Sequence, residues 1–233
     1  MARPIRLDIP GLTQHVVQRG VDRRPCFLLD IHYQAYLRAL AEYAAWTDCE
    51  IHAYVLMCNH VHLLVTPATE GGVGKMMQAI NRKFVGFVNF SLDRTGPLWG
   101  GRYKSCTVGT DDYALACYRY IEMNPVRAGI VDAPSQYRWS SHLANAFGKA
   151  DPIVRPHDAY SALGQSTDDR CSAYLSWVLS RIGHEDEARI REVTNRQHAF
   201  GDQDFCLELE RDHRRTMTRA RIGRPRKSES SPT

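Results

Sequence analysis

The sequence lacks a long apolar run, a paired cysteine motif and a secretory signal, and each absence excludes a class of protein. None of its 233 residues falls in a window approaching the roughly eighteen consecutive apolar residues of a membrane-spanning helix. The basic N-terminal segment is followed by no apolar stretch, so we expect no secretory signal. The seven cysteines are scattered and contain no Cys-x-x-Cys pair, which argues against a disulfide framework and against a cysteine-rich zinc site. We therefore expect a cytoplasmic protein.

Positive charge is concentrated at the C-terminal end. Residues 211–233 contain eight Lys/Arg and two Asp/Glu, a net charge of +6, which leaves −2 for residues 1–210 out of the total of +4. Such a run is typical of an arm that binds nucleic-acid phosphates, although a solvated terminus has the same composition. The segment GRPRK (223–227) resembles the core of an AT-hook, which enters a narrow minor groove. The candidate DNA-binding residues in this segment are Arg221, Arg224, Arg226 and Lys227.

Hydrophobic periodicity predicts an α+β protein. The predicted elements are a strand over 12–19, a helix over 31–46, a hairpin over 50–66 that breaks near 57–59, a helix after 72, a strand at 104–109 and a helix over 111–123. This order is typical of a ferredoxin-like or split-βαβ antiparallel sheet with helices on one face. Beyond residue 148 the pattern is wholly helical. The predicted organisation is a domain over 1–148, a helical C-terminal region over 149–210 and a basic tail over 211–233, expected to be flexible.

Two histidines two residues apart form the first candidate site. Residues at this spacing in a strand point to the same face, so His60 and His62 stand side by side while Val61 enters the core. Neutral imidazoles placed in this way can share a metal ion, and by ligand chemistry alone Mn²⁺, Zn²⁺ or Ni²⁺ suit them as well as Mg²⁺. The alternative is a pair of hydrogen-bonded histidines on a half-exposed sheet. His15 and His52 could face the same side, and no local feature chooses between them.

A second candidate site lies in the helix over 111–123. Tyr120 and Asn124 are four residues apart and share one helical face. Core packing with the hydroxyl at the rim is the other interpretation of a tyrosine in an amphipathic helix. Arg119 and Arg127 are candidate phosphate clamps or surface charges, and Glu122 is a candidate solvated partner for either.

A turn-rich loop, TGPLWGGRYKS (95–105), supplies further candidates for nucleic-acid contact. Trp99 is a candidate for stacking on a displaced base, and Arg102 and Lys104 are candidates for clamping the backbone. A loop anchor at the edge of the core is an equally good interpretation of Trp99.

Together these motifs resemble a known family. NHVHLL (59–64), followed about sixty residues later by RYIEMNPVRAG (119–129), is similar to the HUH-type one-tyrosine transposases. The second motif, the LWGGRYKS loop (98–105) and the helical C-terminal region most resemble the REP-associated tyrosine transposases. The resemblance is strong over about residues 3–148 and covers the rest only in outline.

The resemblance implies a set of roles. His60 and His62 fall on the metal ligands of the family, Asn124 falls on its third ligand and Tyr120 falls on its nucleophile. The implied metal is Mg²⁺ or Mn²⁺, and the implied reaction cuts and rejoins single-stranded DNA beside REP-like hairpins through a 5′-phosphotyrosine. The family also implies association with the nucleoid and, in some relatives, a homodimer.

Two other functions remain open at this point. A relative that recognises hairpin DNA without cutting it would carry the same fold. A metal-dependent nuclease that uses water as its nucleophile would still cleave DNA after Tyr120→Phe and would form no covalent adduct.

Overall fold

Five strands pair into one sheet in the computed structural model, which describes residues 7–179 and 184–213. The strands are β1 (Gln14–Arg19), β2 (Cys49–Met57), β3 (His60–Pro67), β4 (Lys104–Val108) and β5 (Ala199–Phe200). Their order across the sheet is β2-β3-β1-β4-β5, with every neighbouring pair antiparallel except the parallel pair β4 and β5. The first four strands therefore have the order of a ferredoxin-like sheet.

Helices connect and cover these strands. They are α1 (Asp30–Trp46), α2 (Gly72–Ser91), α3 (Asp111–Glu122), α4 (Asn124–Arg127), α5 (His142–Phe147), α6 (Asp158–Ser161), α7 (Thr167–Leu179), α8 (His184–Arg196) and α9 (Gln203–His213), with short 3-10 turns at Val21–Arg23 and Pro134–Gln136. Pro125 stands near the start of α4, because its fixed backbone suits the first turn of a helix and interrupts the one before it. The chain therefore leaves α3 directly after the turn that holds Tyr120.

The predicted α+β class and the helical C-terminal region are confirmed, as is the hairpin break between β2 and β3. The structure differs from the prediction in having one parallel strand pair and in having helices on both faces of the sheet. Asp8 accepts hydrogen bonds from Gln14 Nε2 (3.1 Å) and from the Gly74 amide (2.8 Å), which places the start of α2 on the Gln14 face. His15 lies on the opposite face of β1, and Tyr120 of α3 packs against it.

The physical reason for this difference is visible in the central strands. Nearly every residue of β2 and β3 is buried, which is the pattern of a strand covered on both faces. One face carries an aromatic cluster formed by Phe27, Tyr36, Phe84 and Trp99. The other face is covered by α3 and α8.

Side chains from residues 149–200 join the same hydrophobic core as the sheet, among them Tyr160, Tyr174 and Phe200. The division at residue 148 stays a prediction, and the basic tail lies outside the described residues. All seven cysteines are free thiols, six of them buried. Within the described ranges, no helix has the length and apolar character needed to cross a bilayer.

Candidate functional site

The His60 and His62 side chains lie on the same face of β3, as the sequence predicts. Their ring centroids are 5.0 Å apart. Each ring is held through its Nδ1 atom, since His60 Nδ1 lies 2.6 Å from Asn59 Oδ1 and His62 Nδ1 lies 2.8 Å from His15 Nε2. These contacts engage Nδ1 of each imidazole, so a metal ion would have to bind at Nε2.

Burial keeps these imidazoles neutral. It lowers the pKa of His60 to about 4, with the Arg19 charge acting in the same direction. Burial also lowers the pKa of His62 well below its ordinary value and that of His15 to about 3. A neutral imidazole has the free lone pair that a metal ligand needs.

Tyr120 stands beside the histidines. Its side chain is 6% exposed, and the centroid of its ring lies 5.5 Å from that of His15 and 5.7 Å from that of His62. The neighbouring phenol of Tyr118 is fully buried and accepts a hydrogen bond from the His157 amide at 3.2 Å. Tyr118 therefore points away from the histidines, and Tyr120 is the phenol of α3 at this site.

Asn124 follows Tyr120 by one helical turn. Its Nδ2 donates to the Tyr120 carbonyl oxygen at 3.3 Å. Among the described residues, no cluster of three or more His, Cys, Asp or Glu side chains is suited to a metal ion. Asn124 lines the same cavity as the two imidazoles, so its amide oxygen is the candidate third donor.

Two imidazole nitrogens and an amide oxygen fit a divalent cation. Imidazole suits transition metals such as Mn²⁺ and Zn²⁺, and the amide oxygen suits Mg²⁺ and Mn²⁺. The donor set is thus compatible with the predicted metals without choosing among them.

Arg127 covers the Tyr120 ring. Its guanidinium carbon lies 4.2 Å from the ring centroid, and its Nη2 donates to the Tyr120 carbonyl oxygen at 2.6 Å. On its other side it donates to Glu187 of α8 at 3.2 Å. Arg119 does not line the cavity described next: its Nε donates to the Val178 carbonyl oxygen at 2.8 Å, and its Nη1 lies 3.6 Å from the same Glu187 carboxylate.

A cavity of about 800 Å³ opens in front of this site. Its walls include His60, His62, Tyr120 and Asn124. In the described part of the chain, the cations that line it are Arg19, Arg23, Arg102, Lys104, Arg127 and Arg191, against one lining carboxylate, that of Asp22. Although residues 1–210 carry a net charge of −2, this cavity is positively charged and suited to phosphates.

The structure places two other sequence candidates away from the cavity. The Trp99 ring is 8% exposed and packs in the aromatic cluster, so neither of its faces is open to a base, and the interpretation as a loop anchor fits it. Glu122 is fully buried and not a solvated partner of an arginine. Arg102, Lys104 and Arg127 do line the cavity, whereas Arg221, Arg224, Arg226 and Lys227 lie outside the described residues.

Several residues that line the cavity were not predicted from the sequence. Arg19 and Arg23 lie in the basic segment RGVDRR (19–24), whose composition was the available signal. Arg191, Thr194 and Asn195 come from α8, whose sequence carries no motif that marks them. His15 is a sequence candidate that only the strand register selects.

The fold and the site define an α+β protein with a candidate metal-binding pair, a tyrosine and a cationic cavity on one sheet face. Residues 9–124 match the model of the family described as IS200-like transposases, and through this segment the chain belongs to that family. The match runs from just before β1 to Asn124 and therefore includes both histidines and the tyrosine.

Solved structures and curated proteins give further comparisons. The structure of a REP-associated tyrosine transposase bound to a REP hairpin is similar, with 24% identity, a TM-score of 0.53, and coverage of 67% of this chain and 93% of that chain. A crystal structure from Deinococcus radiodurans, provisionally described as a transposase, has 24% identity and a TM-score of 0.36, and the match covers 48% of this chain and 91% of that one. Among curated proteins no significant match is found.

Proposed function

We propose that this protein is a metal-dependent single-stranded DNA endonuclease and strand transferase that acts at REP-type hairpins through a 5′-phosphotyrosine on Tyr120. The observation that carries the proposal is the convergence of Tyr120, the two neutral imidazoles and Asn124 on one cationic cavity. Membership of the IS200-like transposases supports DNA as the substrate. The fold similarity to a protein solved with a REP hairpin supports hairpin DNA as the particular partner.

His60, His62 and Asn124 would hold a divalent ion, Mg²⁺ or Mn²⁺. Such an ion, when bound, neutralises charge on the non-bridging phosphate oxygens and stabilises the departing oxygen. The protein contributes a rigid set of donors, because His60 is fixed by Asn59 and His62 by His15.

Tyr120 would attack the scissile phosphorus in line. A tyrosine–phosphate bond forms, the bond to the 3′-oxygen breaks, and that oxygen takes a proton to become a free 3′-hydroxyl. The Arg127 guanidinium beside the ring stabilises the phenolate that must form, through its positive charge. Because the covalent link conserves the ester bond, a second 3′-hydroxyl can reverse the step and join a new strand.

The cationic lining of the cavity would hold the DNA backbone. For single strands, log K falls with log salt with a slope of about −0.7 for each phosphate that is neutralised. If all six lining cations make phosphate contacts, the slope is on the order of −4. The predicted homodimer and the predicted nucleoid association stay predictions.

The test is adduct formation on a denaturing gel. Labelled single-stranded hairpins with a randomised flanking tetranucleotide are incubated with Mg²⁺ or Mn²⁺ and with wild type, Tyr120→Phe or Tyr118→Phe. We expect a covalent adduct with wild type and with Tyr118→Phe, and none with Tyr120→Phe or in EDTA. The Tyr118→Phe variant is a matched control, because it removes a phenol from the same helix on the side away from the site.

Two outcomes would overturn the proposal. Cleavage by Tyr120→Phe without an adduct would identify a nuclease that uses water. Tight hairpin binding by wild type with no adduct in any flank would identify a binding protein that does not cut.

A further inference from the structure

Helix α8 places a hydroxyl behind the candidate metal site. Thr194 Oγ1 lies 3.0 Å from His15 Nδ1, and His15 Nε2 lies 2.8 Å from His62 Nδ1. All three side chains are buried, with exposed fractions of 4% or less. A continuous hydrogen-bond chain therefore runs from the helical C-terminal region through β1 to β3.

We propose that His15 and Thr194 are positioning residues that hold the proton of His62 on Nδ1 and so direct its Nε2 lone pair toward the metal. This inference rests on the metal-binding role given to His62 in the proposed function. Its consequence is that α8, a helix beyond the segment matched by the family, takes part in setting the metal affinity.

The Cys106 end of this hydrogen-bond chain is compatible with the proposed direction. Thr194 Oγ1 also lies 3.2 Å from Cys106 Sγ, and both groups are buried. The sulfur can accept the single hydroxyl proton of Thr194, although only weakly, and this leaves the Thr194 oxygen to accept from His15. The Thr194 oxygen then accepts from His15 Nδ1–H, and His15 Nε2 in turn accepts from His62 Nδ1–H.

The geometry of the two rings agrees with such a bond. The planes of His15 and His62 are within 9° of parallel, as suits a hydrogen bond between ring nitrogens. The opposite direction would place a proton on His62 Nε2 and exclude that nitrogen from metal binding.

The two candidate ligands are supported by different parts of the chain. His60 is held by its sequence neighbour Asn59, whose Nδ2 donates to the Arg23 carbonyl oxygen at 2.9 Å. His62 is held by His15 and, through it, by α8. A change in α8 should therefore act on His62 and leave the support of His60 intact.

The test compares Thr194→Val, which removes the hydroxyl at nearly constant volume, with Thr194→Ser, which keeps it. Thr66→Val is a matched control, because Thr66 Oγ1 makes the same kind of contact (2.8 Å) with another buried histidine, His52. Binding of Mn²⁺ alone, without DNA, is measured by the electron paramagnetic resonance signal of the free ion. We expect about a tenfold or greater loss of Mn²⁺ affinity in Thr194→Val and a change of less than about twofold in the other two variants.

A second measurement needs neither metal nor variant. Long-range ¹H–¹⁵N spectra of the metal-free wild-type protein report which ring nitrogen of His62 carries the proton. We expect it on Nδ1, and a proton on Nε2 would overturn the inference even if Thr194→Val failed to fold.

The outcomes separate this inference from the proposed function. Unchanged Mn²⁺ affinity in folded Thr194→Val overturns the inference and leaves the proposed function standing. Failure of the wild-type protein to bind Mn²⁺ overturns the metal role in both.

Discussion

Removal of the buried carboxylate of Glu122 should markedly lower the stability of this protein. The carboxylate is fully buried in the last turn of α3 and accepts four hydrogen bonds. The donors are Ser141 Oγ (2.6 Å), Asn145 Nδ2 (2.7 Å), His142 Nδ1 (2.8 Å) and the Tyr174 hydroxyl (2.8 Å). These bonds fix the end of α3, where Tyr120 and Asn124 stand.

The expected loss in the free energy of unfolding depends on the residue that replaces Glu122. Glu122→Leu fills a similar volume and suits a helix, but it leaves four buried donors without this acceptor. At about 1–3 kcal/mol for each unpaired group, with partial recovery, we expect a loss of about 4 kcal/mol in the free energy of unfolding. Glu122→Gln keeps one oxygen for Ser141 and Asn145, while His142 and Tyr174 can switch to accepting from its amide. We therefore expect a loss of about 1–2 kcal/mol for Gln.

Urea unfolding followed by circular dichroism measures the free energy of unfolding of each variant, and we expect Glu122→Leu to be less stable than Glu122→Gln. Glu70→Gln serves as the control, because Glu70 is exposed and its replacement should change stability by less than about 0.5 kcal/mol. Replacing a buried polar network by a well-packed apolar residue is sometimes neutral or stabilising. If Glu122→Leu is as stable as Glu122→Gln, the reasoning from unpaired donors is refuted.

Three further predictions concern the surroundings of the site. Gly20→Ala would overlap the Arg24 carbonyl oxygen and lie 2.6 Å from Cys26 Sγ, so we expect a loss of about 1–3 kcal/mol in a thermal melt. Gly86→Ala, with open space around it in α2, should be neutral or stabilising, and equal effects of the two changes would contradict the packing argument. Burial lowers the pKa of His52 to about 4, so the unfolded chain binds its proton first as the pH falls. The contribution of His52 to stability should therefore be full above about pH 6.5 and decline toward pH 4 by up to about 1.4 kcal/mol per unit, and His52→Gln should remove this part of the slope in urea titrations. Trp99→Phe should leave hairpin affinity within about twofold of wild type while Arg102→Ala weakens it, because only Arg102 lines the cavity, and equal losses would show that Trp99 does contact DNA.

Local periodicity predicts much of the fold and the centre of the site. Alternation in β3 places His60 and His62 on one face, and the four-residue spacing in the helix places Tyr120 near Asn124. Both features depend on residues that are close in sequence, where strand and helix geometry alone decide the outcome. The two-residue strand β5 carries no such periodicity and could not be predicted.

The local sequence pattern cannot decide whether His15 or His52 lies beside His62. Both are buried histidines on strands that flank β3. The register of β1 places His15 opposite Leu64, from where its ring reaches His62. A register shift in β2 between Ile51 and Ala53 accompanies the placement of His52 beside Thr66, four residues along β3 from His62. Register depends on pairing between distant segments, so it is decided by the assembled sheet.

The net charge of the chain does not show how its charges are distributed around the cavity. The cations around the cavity come from separate segments. Arg19 ends β1, Arg23 ends the 3-10 turn that follows, Arg102 precedes β4, Lys104 begins β4, and Arg191 belongs to α8. Charges farther apart than about 8 Å are largely screened from one another at physiological salt. A phosphate in the cavity would therefore respond to these neighbouring cations and little to carboxylates elsewhere on the surface. The net charge of −2 over residues 1–210 is thus compatible with a DNA-binding site, because folding has gathered the positive charges where the candidate nucleophile stands.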